Sequence, residues 1–167
     1  MTLPTEGRAF VFGDRVDTDV LAPGALMKLA PPELARHCLA ALDPTFAASV
    51  RPGDFVVAGD GFGIGSSREQ AAQSLVLLGV RAVIAKSFAR IFYRNAYNLG
   101  LPAVILPQAG EIVAGDRLSL DVAGGRVVNH STGLIFDVAP IPQRLAEMIE
   151  AGGLVAQLRA GLLGARE

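Results

Sequence analysis

Four short runs of the chain are apolar almost without interruption: AFVF at residues 9–12, DFVVA at 54–58, VRAVIA at 80–85 and AVIL at 103–106. Runs of that length between turn signals predict strands covered on both faces, as in a parallel sheet. Elsewhere the period lengthens. Residues 31–42 place Leu34, Cys38, Leu39 and Leu42 at helical spacing after Pro32 and Glu33, which suit a first turn, so an amphipathic helix is expected there. Residues 71–78 predict a buried helix, and residues 87–99 predict another that Gly100 ends. From residue 115 onward the pattern turns to alternation (RLSLDV, RVVNH, LIFDV), with Gly124-Gly125 between two of the segments, a hairpin signature. Residues 143–163 are helical again, broken at Gly152-Gly153. This order predicts an α/β fold around a mainly parallel sheet, one domain over residues 1–167 with a β-rich annex and a C-terminal helix.

Length and composition narrow the class. A chain of 167 residues buries roughly two-thirds of the surface its unfolded form exposes, enough for a real core. Mean hydropathy is +0.41 with 51% hydrophobic residues, yet the most apolar stretch, residues 74–85, is interrupted by Arg81 and falls short of the ~18 residues a membrane span needs. The opening MTLPTEGRAF lacks a basic segment followed by an apolar run, so a cytoplasmic protein is expected. Net charge is −1 with Lys and Arg scattered, which offers nucleic acid no basic face. Cys38 is the one cysteine, so no internal disulfide forms, and an iron–sulfur cluster takes several thiolates. His37 and His130 lie far apart. Any metal this protein uses is expected on another chain.

Candidate chemistry concentrates in residues 59–70, GDGFGIGSSREQ. Gly61, Gly63 and Gly65 let the backbone adopt positive φ or approach a ligand closely. Ser66, Ser67 and Arg68 follow where a helix begins, a place where N–H groups and the helix dipole favour anions. Arg68 adds a planar fork matched to a carboxylate or phosphate. The plainer reading is a strand-to-helix turn capped by Ser66 or Ser67. Asp17 and Asp19 stand two apart in a loop where turn formation and helix capping are favoured over metal binding. Arg90 and Arg94 share a helix face and serve either as a solvated surface or as buried scaffolding of the serine loop.

The segments GFGIGSSREQAA and GVRAVIAKSFARIFYRNAYNLGLPAVI closely resemble the corresponding region of the aconitase superfamily, and the chain is similar to small subunits of 3-isopropylmalate dehydratase. GDRVDTDVLAPG and AGGLVAQLR fit the same family, so the resemblance spans nearly the whole chain. It implies the swivelling β/β/α domain of the aconitase C-terminal type. It also implies a catalytic base at Ser66, substrate carboxylates held by Ser67 and Arg68, and a [4Fe–4S] cluster carried by a large partner subunit. The substrate implied is a small hydroxy di- or tricarboxylate, dehydrated and rehydrated through an alkene. The loop after Asp19 corresponds to the family's specificity segment, here Ala25, Leu26, Met27 and Lys28. Leu26 and Met27 suggest an aliphatic substituent, and Lys28 an anionic one. Two departures stand out: Gln70 where the family commonly has histidine, and Ile64 where it often has cysteine. Gln70 points toward a divergent relative acting on another 2-hydroxy acid, such as a methylated malate. A non-catalytic anion-binding module is the rival outside enzymes.

Overall fold

The computed structural model describes residues 5–164; residues 1–4, the start of the stretch read for an export signal, lie outside the described residues. Strands β1 (Gly7–Val11), β2 (Phe55–Ala58), β3 (Ala82–Ala85) and β4 (Ala103–Ile105) pair in parallel, with Ala9 opposite Phe55, Phe55 opposite Ala82 and Val83 opposite Ala103. Strands β5 (Arg117–Asp121), β6 (Arg126–Asn129) and β7 (Ile135–Asp137) form an antiparallel meander. The annex joins the main sheet through β1 and β5, so the order runs β4-β3-β2-β1-β5-β6-β7. Every residue of β2 and β3 is buried, which explains their unbroken apolar runs, whereas β5 alternates between buried and open positions.

Successive side chains of a strand point to opposite faces, and β2 supplies both halves of the core. Val56 and Ala58 pack with Phe46, Phe62, Leu75, Val83 and Phe92 on the helical face. Phe55 and Val57 pack with Ile84, Leu106, Leu118, Val127 and Phe136 on the other, where the curled antiparallel strands serve as the cover. The helical face is closed by α4 (Glu69–Leu77) and α5 (Arg90–Asn98). The tail forms α6 (Gln143–Ala151) and α7 (Leu154–Gly164), separated by Gly152 in the left-handed conformation. No helix among the described residues is long and apolar enough to cross a membrane.

The helix expected over residues 31–42 is cut short. Its first turn persists as α2 (Pro31–Ala35), after which Leu39 adopts φ +60° and donates its N–H to the Val20 carbonyl at 3.0 Å. The bend sends Cys38 and Leu39 into the core. A short helix, α3 (Phe46–Ser49), then buries Phe46 edge-on against Phe10 and Phe12, with ring centroids 5.2 and 5.7 Å away. Burial of these rings outweighs the local preference for a longer helix.

Phe92 is the hub of the second aromatic group, edge-on to Phe62 at 5.0 Å and stacked with Phe88 at 6.2 Å. Phe92→Ala is expected to lower stability by about 3–5 kcal/mol, from lost transfer energy plus the cavity left behind. Urea denaturation checks this: the midpoint falls while the slope stays constant.

Candidate active site

Because β1, β2 and β3 run parallel, the loops that follow them leave from one sheet edge, the usual position of ligand sites in α/β folds. The glycine-rich loop after β2 lies between the other two. On one side the Gly63 N–H donates to Val16 O at 2.7 Å and the Thr18 N–H to Ile64 O at 2.8 Å. On the other the Phe62 N–H donates to Ser87 O at 3.1 Å and the Ala89 N–H to Phe62 O at 2.9 Å. Phe62 itself is fully buried and anchors the loop from below. Gly63 has φ +83°, and a Cβ there would sit 2.3 Å from the Phe92 side chain. At Gly65, with φ +109°, a Cβ would meet the Thr18 hydroxyl at 3.0 Å. Glycine is demanded by close approach at the first position and by conformation at both.

Beyond Gly65 the chain turns outward. Ser66 and Ser67 are exposed, and α4 begins after them with Arg68 as N-cap and no side-chain capping bond. Neither serine is therefore the cap that the plainer sequence reading expected. Gln70 sits half-buried in the first turn of α4, and Ile64 is half-buried within the loop.

The Asp17–Asp19 loop supplies the electrostatic partner. Asp17 caps α1 (Thr18–Leu21), its Oδ1 accepting from the Val20 N–H at 2.9 Å. Asp19 Oδ1 accepts from the Gly24 N–H at 2.8 Å and from Arg68 Nη1 at 3.0 Å, and the same Nη1 donates to Ala22 O at 3.0 Å. Arg68 is the more enclosed partner, its side chain 22% exposed against 70% for Asp19. The Gly24 amide, followed by the Arg68 guanidinium, holds the Asp19 carboxyl below its ordinary value of 3.8. Asp19, Gly24 and Arg68 thus meet in space. The backbone groups of Ala22 and Gly24 had escaped the sequence reading, because main-chain donors and acceptors leave no side-chain signature.

Leu26 and Met27 lie half-buried against the helical-face core, and Lys28 is exposed with no ion pair among the described residues. Arg90 and Arg94 are both exposed, so the reading of them as buried scaffolding is corrected. Phe88, Phe92 and the Ser87 and Ala89 backbone support the loop instead. One cavity among the described residues, about 460 Å³, lies elsewhere, bounded by Arg8, Phe10, Phe12 and Leu42. Ser66 and Ser67 are exposed, and the half-buried Arg68 follows them directly in the chain.

Known proteins resemble this chain in sequence and in fold. Residues 41–109 match the family model described as the aconitase C-terminal domain. The 3-isopropylmalate dehydratase small subunit 2 of Archaeoglobus fulgidus is 49% identical over 92% of this chain and 93% of its own. The small subunit from Nautilia profundicola is 49% identical over 89% of this chain and 90% of its own. A crystal structure of 3-isopropylmalate dehydratase from Methanocaldococcus jannaschii superposes with a TM-score of 0.91 at 43% identity, covering 97% of both chains. The chain belongs to the 3-isopropylmalate dehydratase small-subunit family. Its fold is that of the aconitase C-terminal domain, and membership makes it a component of a hydro-lyase that acts with a large subunit.

A small subunit of this family is associated with a [4Fe–4S] cluster, and the donor set present does not fit one. Cys38 is fully buried, and burial raises its pKa far above the ordinary thiol range, so it stays protonated. Among the described residues no three His, Cys, Asp or Glu side chains gather as metal ligands.

The Asp19 pair yields a titration test. A carboxylate whose folded pKa is depressed stabilises the fold above its unfolded pKa, and that contribution disappears as pH falls through the folded value. Carbon-detected NMR is expected to place the Asp19 midpoint below 3.8. Arg68→Ala should raise the midpoint without fully restoring it, because the larger contribution from Gly24 remains. A midpoint indifferent to Arg68 would show that the pair does not persist in solution.

Proposed function

We propose that this chain is the small subunit of a cytoplasmic, heteromeric hydro-lyase that isomerises a substituted malate, 3-isopropylmalate to and from 2-isopropylmalate in leucine biosynthesis. Ser66 acts as base, and Ser67 and Arg68 hold the substrate carboxylates. The observation that carries the reading is the state of the loop: two exposed serines that make no capping bond to α4, beside a half-enclosed arginine. A proton-transfer site left open to water loses the electrostatic advantage of enclosure, so such a surface serves catalysis when a partner closes over it.

The chemistry assigned to this chain is proton transfer and charge stabilisation. Ser66 Oγ takes a proton from the carbon beside a substrate carboxylate while hydroxide departs from the neighbouring carbon, leaving an alkene. Readdition of water with the positions exchanged completes the isomerisation. A serine hydroxyl is a weak base, so its alkoxide needs nearby positive charge and N–H dipoles, which Arg68 and the glycine loop can supply. Charge building on the carboxylate in the transition state falls to Ser67 and Arg68. The cluster assigned to the large subunit supplies Lewis-acid affinity for the departing hydroxyl.

Lys28 supports a second reading of the substrate. It is an exposed cation with no ion pair among the described residues, at the end of the specificity segment, which favours an anionic substituent of the homoaconitase type; a methylated malate is the remaining alternative.

Two variants, reconstituted with the large subunit, test the reading. Ser66→Ala is expected to lower kcat by about 10²–10⁴-fold, the usual contribution of a positioned base, while co-purification of the subunits is unchanged. Turnover left intact by that substitution would remove Ser66 from the mechanism. Lys28→Ala should change kcat/KM for 3-isopropylmalate by no more than about fivefold, the range of an exposed charge. A much larger loss confined to a tricarboxylate would reverse the substrate assignment.

A further inference from the structure

We infer that Asp19 is a positioning residue that ties the substrate-reading loop to the carboxylate-binding arginine, so that substrate selection and turnover are set through one oxygen atom. The inference rests on the role proposed for Arg68 and deepens it. Asp19 Oδ1 takes two bonds at once, from the Gly24 N–H at 2.8 Å and from Arg68 Nη1 at 3.0 Å. Gly24 opens a 3₁₀ turn, Gly24–Leu26, that leads to Met27 and Lys28. A shift in that turn therefore moves the acceptor that orients Arg68.

The arginine's donors divide in a useful way. Both hydrogens of Nη1 are spent, one on Asp19 and one on Ala22 O at 3.0 Å. Nε and Nη2 make no hydrogen bond among the described residues. Those two nitrogens form the side-on edge of the guanidinium, which accepts a carboxylate through two parallel bonds. Asp19 and Ala22 thus fix the plane of the fork and leave its Nε–Nη2 edge without a hydrogen bond among the described residues. Asp19 is ionised throughout the working range, since its carboxyl is held below the ordinary value. Its charge also offsets that of Arg68, so the fork presents direction more than net attraction.

The fit at Gly24 is tight enough to provide an independent probe. A Cβ at Gly24 would lie 3.0 Å from Arg68 Nη2 and 3.2 Å from Asp19 Oδ1, and the backbone there has no positive φ to forbid alanine. Gly24→Ala therefore crowds both Asp19 and Arg68, which must give by a few tenths of an ångström, without altering any charge. Asp19→Asn alters the charge at nearly constant shape.

Both variants are read in two ways. In the isolated chain, NMR relaxation of the Arg68 Nε–H reports whether the fork is held. The order parameter is expected to fall from a rigid value toward about 0.6 or below in Asp19→Asn and Gly24→Ala, with the α4 amides unchanged. A fork that stays rigid in both variants overturns the inference whatever the activity. In the reconstituted complex, 3-isopropylmalate and 2-methylmalate serve as probes. Asp19→Asn should lower kcat for 3-isopropylmalate about tenfold, the scale of one charge-assisted hydrogen bond, with KM unchanged or lower. Both variants should shrink the kcat/KM ratio between the two acids. Equal losses on both acids with a raised KM would mean a merely structural role and sink the proposal. Ser66→Ala separates the two levels: if it spares turnover the function reading fails, whereas a dead Ser66→Ala with a neutral Asp19→Asn refutes this inference alone.

Discussion

The candidate site depends on a length of backbone held on both sides. From Phe62 to Ile64 the chain exchanges hydrogen bonds with Val16 and Thr18 on one flank and with Ser87 and Ala89 on the other. That is strand-like pairing carried beyond the end of the sheet, and it requires the backbone to pass over the Phe92 ring. Only a residue without a Cβ can do so: at Gly63 even a methyl group would overlap the Phe92 side chain. The aromatic group of Phe62, Phe88 and Phe92 therefore has two roles, packing the helical face of the sheet and setting the height of the loop above it. With that height set, the chain leaves Gly65 pointing outward, and two serines precede α4 without being consumed by its cap.

Much of the fold was legible because its signals were redundant. The two central strands, β2 and β3, are buried on both faces, so their unbroken apolar sequences needed no partner information to be read, whereas β1 and β4 are only partly covered. Gly100 and Gly152 mark helix ends where positive φ is needed, at 79° and 87°. Residues 36–42 were misread because the deciding interactions are remote in sequence. The Leu39 N–H bonds to Val20, and Phe46 fills a space beneath Phe10 and Phe12. Helical spacing within that segment is real, but it reports burial, and a bend buries Cys38 and Leu39 as well as a helix would. The annex was recognised as β-rich, yet its continuity with the main sheet hangs on the short register between Gly7–Arg8 and Arg117–Leu118, which no local pattern announces.

For the site, the sequence identified the loops but not their coupling. Glycine spacing, the serine pair and Arg68 stand out as types in a row. What Arg68 touches does not, since its partners lie 46 and 49 residues away and one is a main-chain carbonyl. The two aspartates illustrate the limit. Both were assigned to turns and caps, and Asp17 is a cap in that sense. Asp19 is engaged locally with Gly24 and at long range with Arg68, and only the second contact joins it to the chemistry.

If the site is divided between two chains, as proposed, the division has a physical rationale. Preorganised dipoles stabilise developing charge best where water is excluded, yet a charged substrate must enter through water. A half-site can hold its donors in place while open, provided each is satisfied without being used up. Asp19 and Ala22 do this for Arg68, taking the two hydrogens of Nη1 and leaving the Nε–Nη2 edge without a hydrogen bond among the described residues. The serines need no such holding, because Gly63 and Gly65 have already set the direction of the backbone that carries them. Closure then has to supply only the opposing surface and the expulsion of water, with little reorganisation on this side. A chain whose donors were ordered only by the partner would meet the ordering cost at each closure and would orient the substrate less sharply.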